Sequence, residues 1–238
     1  MGCALPADRM RPDARPHRTH GQLHRASPLG RPRDDDRDDT DDPTNPVSPM
    51  TPTTRTTTFG HGTATADATV ELLRGAGITA VVDVRTAPGS RRHPQFSRAE
   101  LERWLPEHGI GYRWERRLGG FRKVAPDSPD SAWRNDAFRG YAGHMRTAEF
   151  LAGIDDLLAE VAEDSSGGTA IMCSESLWWR CHRRMIADFL QLVRGVQVRH
   201  LFPDGSVAAH QLGPGVRVRS DGLLVYDGGQ ASVFDDLD

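Results

Sequence analysis

Apolar and polar positions along the chain alternate between two periods. RTTTF (55–59) has the β-branched character of a first strand and runs into Gly60-His61-Gly62. Asp67 stands where a helix would be capped, Val70 and Leu73 supply its apolar side, and Gly75 and Gly77 follow its end. ITAVVDV (78–84) is an unbroken apolar run, the pattern of a strand buried on both faces of a parallel sheet. Ser97 and Glu100 have capping-box spacing, after which Leu101, Trp104, Leu105 and His108 fall on one helical face before Gly109. GYRWE (111–115) predicts a strand, and 116–140 reads as an irregular insertion containing Arg and Pro. Thr147 opens a helix with Phe150, Ile154, Leu157, Leu158 and Val161 on one face. TAIMC (169–173), a helix carrying Met185, Ile186, Phe189, Leu190 and Val193, and VQVRHL (196–201) complete the series. Strand and helix alternate throughout, which predicts a three-layer, Rossmann-like α/β sandwich with a mainly parallel sheet of about five strands. Beyond Phe202 the pattern changes, and VRVRSDGLLVY (216–226) reads as a short hairpin on a loose tail.

The N-terminal segment differs in composition from the rest of the chain. Residues 1–52 hold nine of the sixteen prolines, lack Phe, Trp, Tyr and Ile, and include RPRDDDRDDTDDP. Such a segment cannot bury enough apolar surface to offset chain ordering, so a disordered head is predicted, either a regulatory acidic tail or a plain solvated one. A start at Met50 would remove it. The α/β domain is then expected over 53–205 and a hairpin and tail over 206–238. With 37% hydrophobic residues and a mean hydropathy of −0.56, the chain has no apolar run long enough to span a membrane. No apolar stretch near the start suits a secretory signal, and the three cysteines (Cys3, Cys173, Cys181) are too few for a disulfide framework. A cytoplasmic location is expected. The net charge of −3 carries no global nucleic-acid signature.

Ligands of open parallel sheets bind beyond the carboxyl ends of the strands, and the unusual residues of this chain fall there. Gly60-His61-Gly62 follows the first strand, Asp83 and Arg85 close the second, Cys173 and Glu175 close the fourth, and Arg180-Cys181-His182-Arg183 opens the next helix. Each alone has a plain structural reading: His61 as a turn residue, Asp83 paired with Arg85, Cys173 as a small buried hydrophobe. Together they predict a site.

TFGHGT, VVDVRTAPGSRRHPQFS, YAGHM, IMCSESLWWRCHRRMIADFL and the closing QASVFDD resemble the domain of unknown function 488 family of bacterial and archaeal α/β proteins, over roughly residues 56–236. The resemblance implies His61, Asp83, Arg85, Arg91, Tyr141, Cys173, Glu175, Cys181, His182 and Arg183 as motif positions, and Ser174 stands where many members have Ala.

Three chemistries suit these residues. A thiol at a strand end, facing a helix N-terminus beside Arg180 and Arg183, is expected to be partly thiolate, which makes Cys173 a candidate nucleophile. That order also resembles rhodaneses and cysteine phosphatases. Here, though, six residues separate Cys173 from Arg180 and SESLWW lacks the glycines of a phosphate cradle. A metal reading gives Cys173, Cys181 and His182 to zinc or iron, on condition that Cys181 and His182 sit in the loop before the helix, because adjacent helical residues point about 100° apart. A reversible Cys173–Cys181 disulfide is the third. In the enzyme reading His61 or His182 is the acid/base, Asp83 and Glu175 orient, Tyr141 is a proton donor or a packed aromatic, and Arg85, Arg91, Arg180 and Arg183 hold an anion.

Residues 85–123 carry ten Arg or Lys against four Glu, interleaved with Phe96, Tyr112, Trp114 and Phe121. Such a surface stacks bases and neutralises phosphates, so a nucleic-acid- or nucleotide-derived substrate is expected; the alternative is a core with a solvated basic face. Of Trp178 and Trp179, one should pack under the loop while the other can stack on a ligand. The competing class is a non-catalytic module binding nucleic acid or a partner protein. Gln230-Ala231-Ser232-Val233-Phe234 resembles the peptide by which bacterial repair proteins bind the sliding clamp, with Gln230, Val233 and Phe234 as its anchors, although folding back of Val233 and Phe234 fits the same residues.

Overall fold

The computed structural model describes residues 54–89, 91–163 and 168–229. The head, Cys3 and the clamp-type residues Gln230, Val233 and Phe234 lie outside the described residues. The runs read as strands pair side by side. β1 (Arg55–Gly60), β2 (Ala80–Asp83), β3 (Gly111–Trp114), β4 (Thr169–Cys173) and β5 (Gln197–Leu201) are parallel, in the order β3-β2-β4-β1-β5. β6 (Val207–Ala209), which the sequence reading did not resolve, extends the edge antiparallel to β5. Side chains alternate across the sheet. Phe59, Val81, Ala170 and Met172 enter one core with α1 (Ala66–Gly75) and α2 (Arg98–Glu107). Val82, Ile171 and Cys173 enter the opposite core with α3 (Asp136–His144), α4 (Ala148–Glu163) and α5 (Arg183–Arg194). The expected three layers are present.

Local chemistry sets the ends of the helices. Thr65, not Asp67, caps α1, its Oγ1 accepting from the Ala68 N–H at 3.2 Å while Asp67 lies in the positive first turn. Ser97 caps α2 as expected. α3 falls partly inside the stretch read as irregular. Its two glycines, Gly140 and Gly143, depress helix propensity, but Asn135 Oδ1 accepts from Ala137 N at 2.9 Å and burial of Tyr141 and Ala142 holds the helix in place.

The predicted hairpin forms as β7 (Val216–Val218) and β8 (Leu224–Tyr226), and it is docked rather than loose. Leu224, Val225 and Tyr226 are buried, Tyr226 OH donates to Asp188 at 2.8 Å, and Ala132 N donates to the Tyr226 carbonyl at 2.8 Å. Among the described residues no helix is long and apolar enough to cross a membrane.

Connectivity places the site. The crossovers through α1 and α2 step toward the β3 edge over one face; those through α3–α4 and α5 step back over the other, as right-handed crossovers require. β4 therefore lies between β2 and β1, both of which lead to helices on the face opposite α5. The carboxyl ends of β2, β4 and β1 form the point where the winding reverses, and a crevice opens there.

Candidate functional site

The loops after β1 and β4 are held together by backbone: His61 N donates to the Cys173 carbonyl at 3.1 Å and Gly62 N to the Ser174 carbonyl at 3.0 Å. This close approach explains the glycines. A Cβ on Gly60 would stand 1.9 Å from the Glu175 carbonyl oxygen, and one on Gly62, at φ 53°, would stand 2.1 Å from Ser176 Oγ.

At the end of β2, buried Asp83 grips Arg85 in a fork. Arg85 Nε donates to Oδ1 at 2.8 Å and Arg85 NH2 to Oδ2 at 2.5 Å; Tyr112 OH donates to Oδ2 at 2.9 Å. Arg85 NH1 lies 3.3 Å from His61 Nε2, while His61 Nδ1 lies 3.0 Å from the Gly62 carbonyl. A carbonyl only accepts, so the proton is on Nδ1 and Nε2 accepts from the guanidinium. Burial, then the Arg85 charge, lowers the His61 pKa to about 4. The ring stacks on Phe96 at 4.0 Å. His61 is thus a neutral brace for Arg85, with both ring nitrogens engaged.

Cys173 at the end of β4 meets Cys181 and His182 before α5. Both thiols are free and buried, and the two sulfurs and one imidazole nitrogen lie within 4.8 Å of one another. Cys181 has extended backbone (φ −122°, ψ 151°) and His182 caps α5, so the condition for their convergence is met. His182 Nε2 donates to the Val84 carbonyl at 3.0 Å, and its Nδ1 faces Cys181 Sγ at 3.6 Å. The expected order of the thiols is reversed. Cys173 donates to Cys181, and that bond together with burial pushes the Cys173 pKa well up. Burial opposes ionisation at Cys181 too, but the Cys173 hydrogen bond, the Arg183 charge and the Arg183 backbone N–H outweigh it and bring its pKa down to about 6. The sequence reading placed the helix N-terminus opposite Cys173, whereas Cys181 is the residue that adjoins it.

Arg183 is 1% exposed and meets no carboxylate among the described residues. Its NH2 donates to the Glu175 carbonyl and its NH1 to Thr58 Oγ1 at 3.2 Å. From Thr58 a chain of hydrogen bonds runs through the core: Thr58 Oγ1 to His200 Nδ1 (2.7 Å), His200 Nε2 to His210 Nδ1 (3.0 Å), His210 Nε2 to Asp188 Oδ1 (2.8 Å). Because Arg183 only donates and Asp188 accepts, every link has one direction, from guanidinium to carboxylate. Trp178 stacks on His200 at 4.1 Å, while Trp179 is 42% exposed. Thr58, Arg183 and Asp188 lie within the recognisable motifs, but His200 in β5 and His210 after β6 lie in none, so no local pattern marks the chain as a unit.

Two clefts meet at these strand ends. One, of about 300 Å³, is bordered by Cys173, Cys181, His182, Arg180, Phe121 and Phe138; the other, of about 590 Å³, by His61, Arg92, His93 and Ser176. Arg85 and Glu175 border both. Arg91 is exposed outside these linings, and Arg92, one residue on, takes the expected place. Tyr141 is buried, its OH donating to the Leu118 carbonyl at 2.8 Å and its ring 5.0 Å from that of His182, so it packs beneath the site.

The basic stretch is mostly neutralised: Arg113 and Arg117 share buried Glu115 and reach Glu160 and Asp156, Arg98 pairs with Glu102, and Arg103 with Glu100 and Glu107. Of its aromatics, Phe96 is core, Tyr112 serves Asp83, and Trp114 Nε1 donates to the Arg85 carbonyl at 2.8 Å. Phe121 differs. It is 92% exposed and, at φ 58°, is the single non-glycine residue with positive φ among the described residues.

The family model of the domain of unknown function DUF488 matches residues 65–190, just over half of the 238-residue chain. The comparisons gave no match among curated proteins or solved structures.

Proposed function

The chain belongs to the family of the domain of unknown function DUF488, and on the architecture of that domain we propose that it is an enzyme acting on an anionic, nucleotide-derived substrate in the cleft at the carboxyl ends of β1, β2 and β4. The observation that carries this reading is the convergence, around one cleft of about 300 Å³, of Arg85 and Arg180, the Cys173–Cys181–His182 set and the exposed ring of Phe121. Arg180 has no carboxylate partner among the described residues, so its charge is available to an anion. Arg85 is fixed by Asp83 and His61 before any ligand arrives, which lowers the entropy lost on binding. Phe121 and Phe138 offer apolar surface for a planar base, the kind of contact that contributes about 1–3 kcal/mol per base. Cys181, Cys173 and His182 form the reacting centre, and Glu175 borders it with Oε1 accepting from Leu177 N at 3.0 Å.

Calorimetric titration of the full chain with a purine nucleoside monophosphate, ribose 5-phosphate and inorganic phosphate tests this directly. The expected order of affinity is nucleotide, sugar phosphate, phosphate; Arg180→Ala weakens all three and Phe121→Ala the nucleotide alone. Equal affinities for the three, or no binding by the folded protein, would refute the reading.

A further inference from the structure

We propose that Cys173 Sγ, Cys181 Sγ and His182 Nδ1 hold one divalent ion of the zinc class, with its fourth coordination position open to the cleft. The inference goes beyond the substrate reading and does not depend on it.

Four observations carry it. The three donor atoms already lie within 4.8 Å of one another. Cys181 Sγ and His182 Nδ1 are 3.6 Å apart, and bonds of about 2.3 Å to sulfur and 2.0–2.1 Å to nitrogen at a tetrahedral angle require roughly that edge. The tautomer is set: His182 Nε2 spends its proton on the Val84 carbonyl at 3.0 Å, leaving the Nδ1 lone pair pointed at the thiol. A backbone carbonyl in that place is the usual outer partner of a metal-bound histidine. Room is also kept beside the donor nitrogen, where a Cβ on Gly120 would stand 3.0 Å from Nδ1.

The donor set selects the ion. Two sulfurs and an imidazole suit zinc and its soft neighbours, and no carboxylate belongs to the cluster among the described residues, which disfavours magnesium and calcium. Two thiolates balance the dication. All three donors border the cleft of about 300 Å³, so a fourth ligand is water or a substrate oxygen rather than protein. Three protein ligands with one open position is the arrangement in which zinc activates water or polarises a bound oxygen.

The full chain, purified with a tag that binds no metal, is assayed for metal content and then titrated with Co(II) after chelation. The expected result is one equivalent of zinc per chain as isolated and one equivalent of Co(II), with a thiolate-to-cobalt charge-transfer band that halves in Cys181→Ser and in Cys173→Ser. His182→Gln is expected to weaken uptake. Should a serine variant fail to fold, thiol counting on the unmodified protein replaces it: metal is expected to shield Cys173 and Cys181 from a thiol reagent and chelation to expose them. A folded protein that takes up no zinc or Co(II), or Co(II) bound without a thiolate band, overturns the inference. Nucleoside monophosphate titrated into the metal-free protein keeps the two proposals apart, since binding without metal leaves the substrate reading intact, and metal without nucleotide binding leaves this one.

Discussion

Phe121 carries two unfavourable features in the free protein, a left-handed backbone at φ 58° and a ring that is 92% exposed. A β-carbon in that backbone region costs roughly 1–2 kcal/mol, and such strain persists where surrounding structure and function demand it. Phe121→Gly is therefore expected to raise unfolding free energy by about 0.5–1 kcal/mol, the relief of strain outweighing the added chain entropy of glycine. Urea denaturation measures this, and a destabilised variant would show the ring to be structural. Legibility at this scale followed sequence proximity. Asp83 and Arg85, two residues apart, were readable as a pair; the reversal between Cys173 and Cys181 was not, because it depends on which sulfur abuts Arg183 and the start of α5. Arg91 and Arg92 are indistinguishable until the loop before Phe96 is placed.

Among the elements, β1, β5 and α5 are tied by the chain from Arg183 through Thr58, His200 and His210 to Asp188, with Tyr226 and Gly213 completing the carboxylate's bonds. Burial, then the charges of His210 and Arg183, lowers the His200 pKa from 6.5 to about 3. The unfolded chain binds a proton at this residue below pH 6.5 and the folded chain does not until about pH 3, so its contribution to stability is complete above pH 6.5 and is lost as pH falls through that window. His200→Phe keeps a ring for Trp178 to stack on but removes the partner of the Thr58 hydroxyl hydrogen and of His210 Nδ1. At pH 7 it is expected to cost about 1–3 kcal/mol, and its stability should decline less steeply than that of the unmodified protein between pH 6.5 and pH 4. Parallel acid-denaturation curves would contradict the assignment. Strands β1, β2, β4 and β5 were legible because each is rich in β-branched or apolar residues and has a glycine close to one end, whereas the short β6 lacks such a signal. α3 was not legible, since its glycines weaken the local signal and it is held by the Asn135 cap and by burial of Tyr141, beneath His182, and Ala142.

For the molecule as a whole, strand order decides where chemistry can occur. Inserting β4 between β2 and β1 brings the strand end at Cys173 beside those at Asp83 and Gly60, 90 and 113 residues earlier in the sequence, and no local pattern encodes that insertion, although the rule that ligands bind at carboxyl edges directs attention to this rim. The C-terminal hairpin was recognisable from alternation and its turn residues, but its docking was not, because Tyr226 gains its value only against Asp188 and Ala132. Tyr226→Ala is expected to cost about 3–5 kcal/mol by thermal or chemical denaturation, where a loose tail would register no change. The substrate reading places the functional site at the reversal point of the sheet. Hydrogen exchange of the full chain with and without saturating nucleoside monophosphate tests it most directly: protection is predicted over 60–63, 84–89, 119–123 and 174–182, and protection confined instead to the groove between α1 and the 201–205 turn would contradict it.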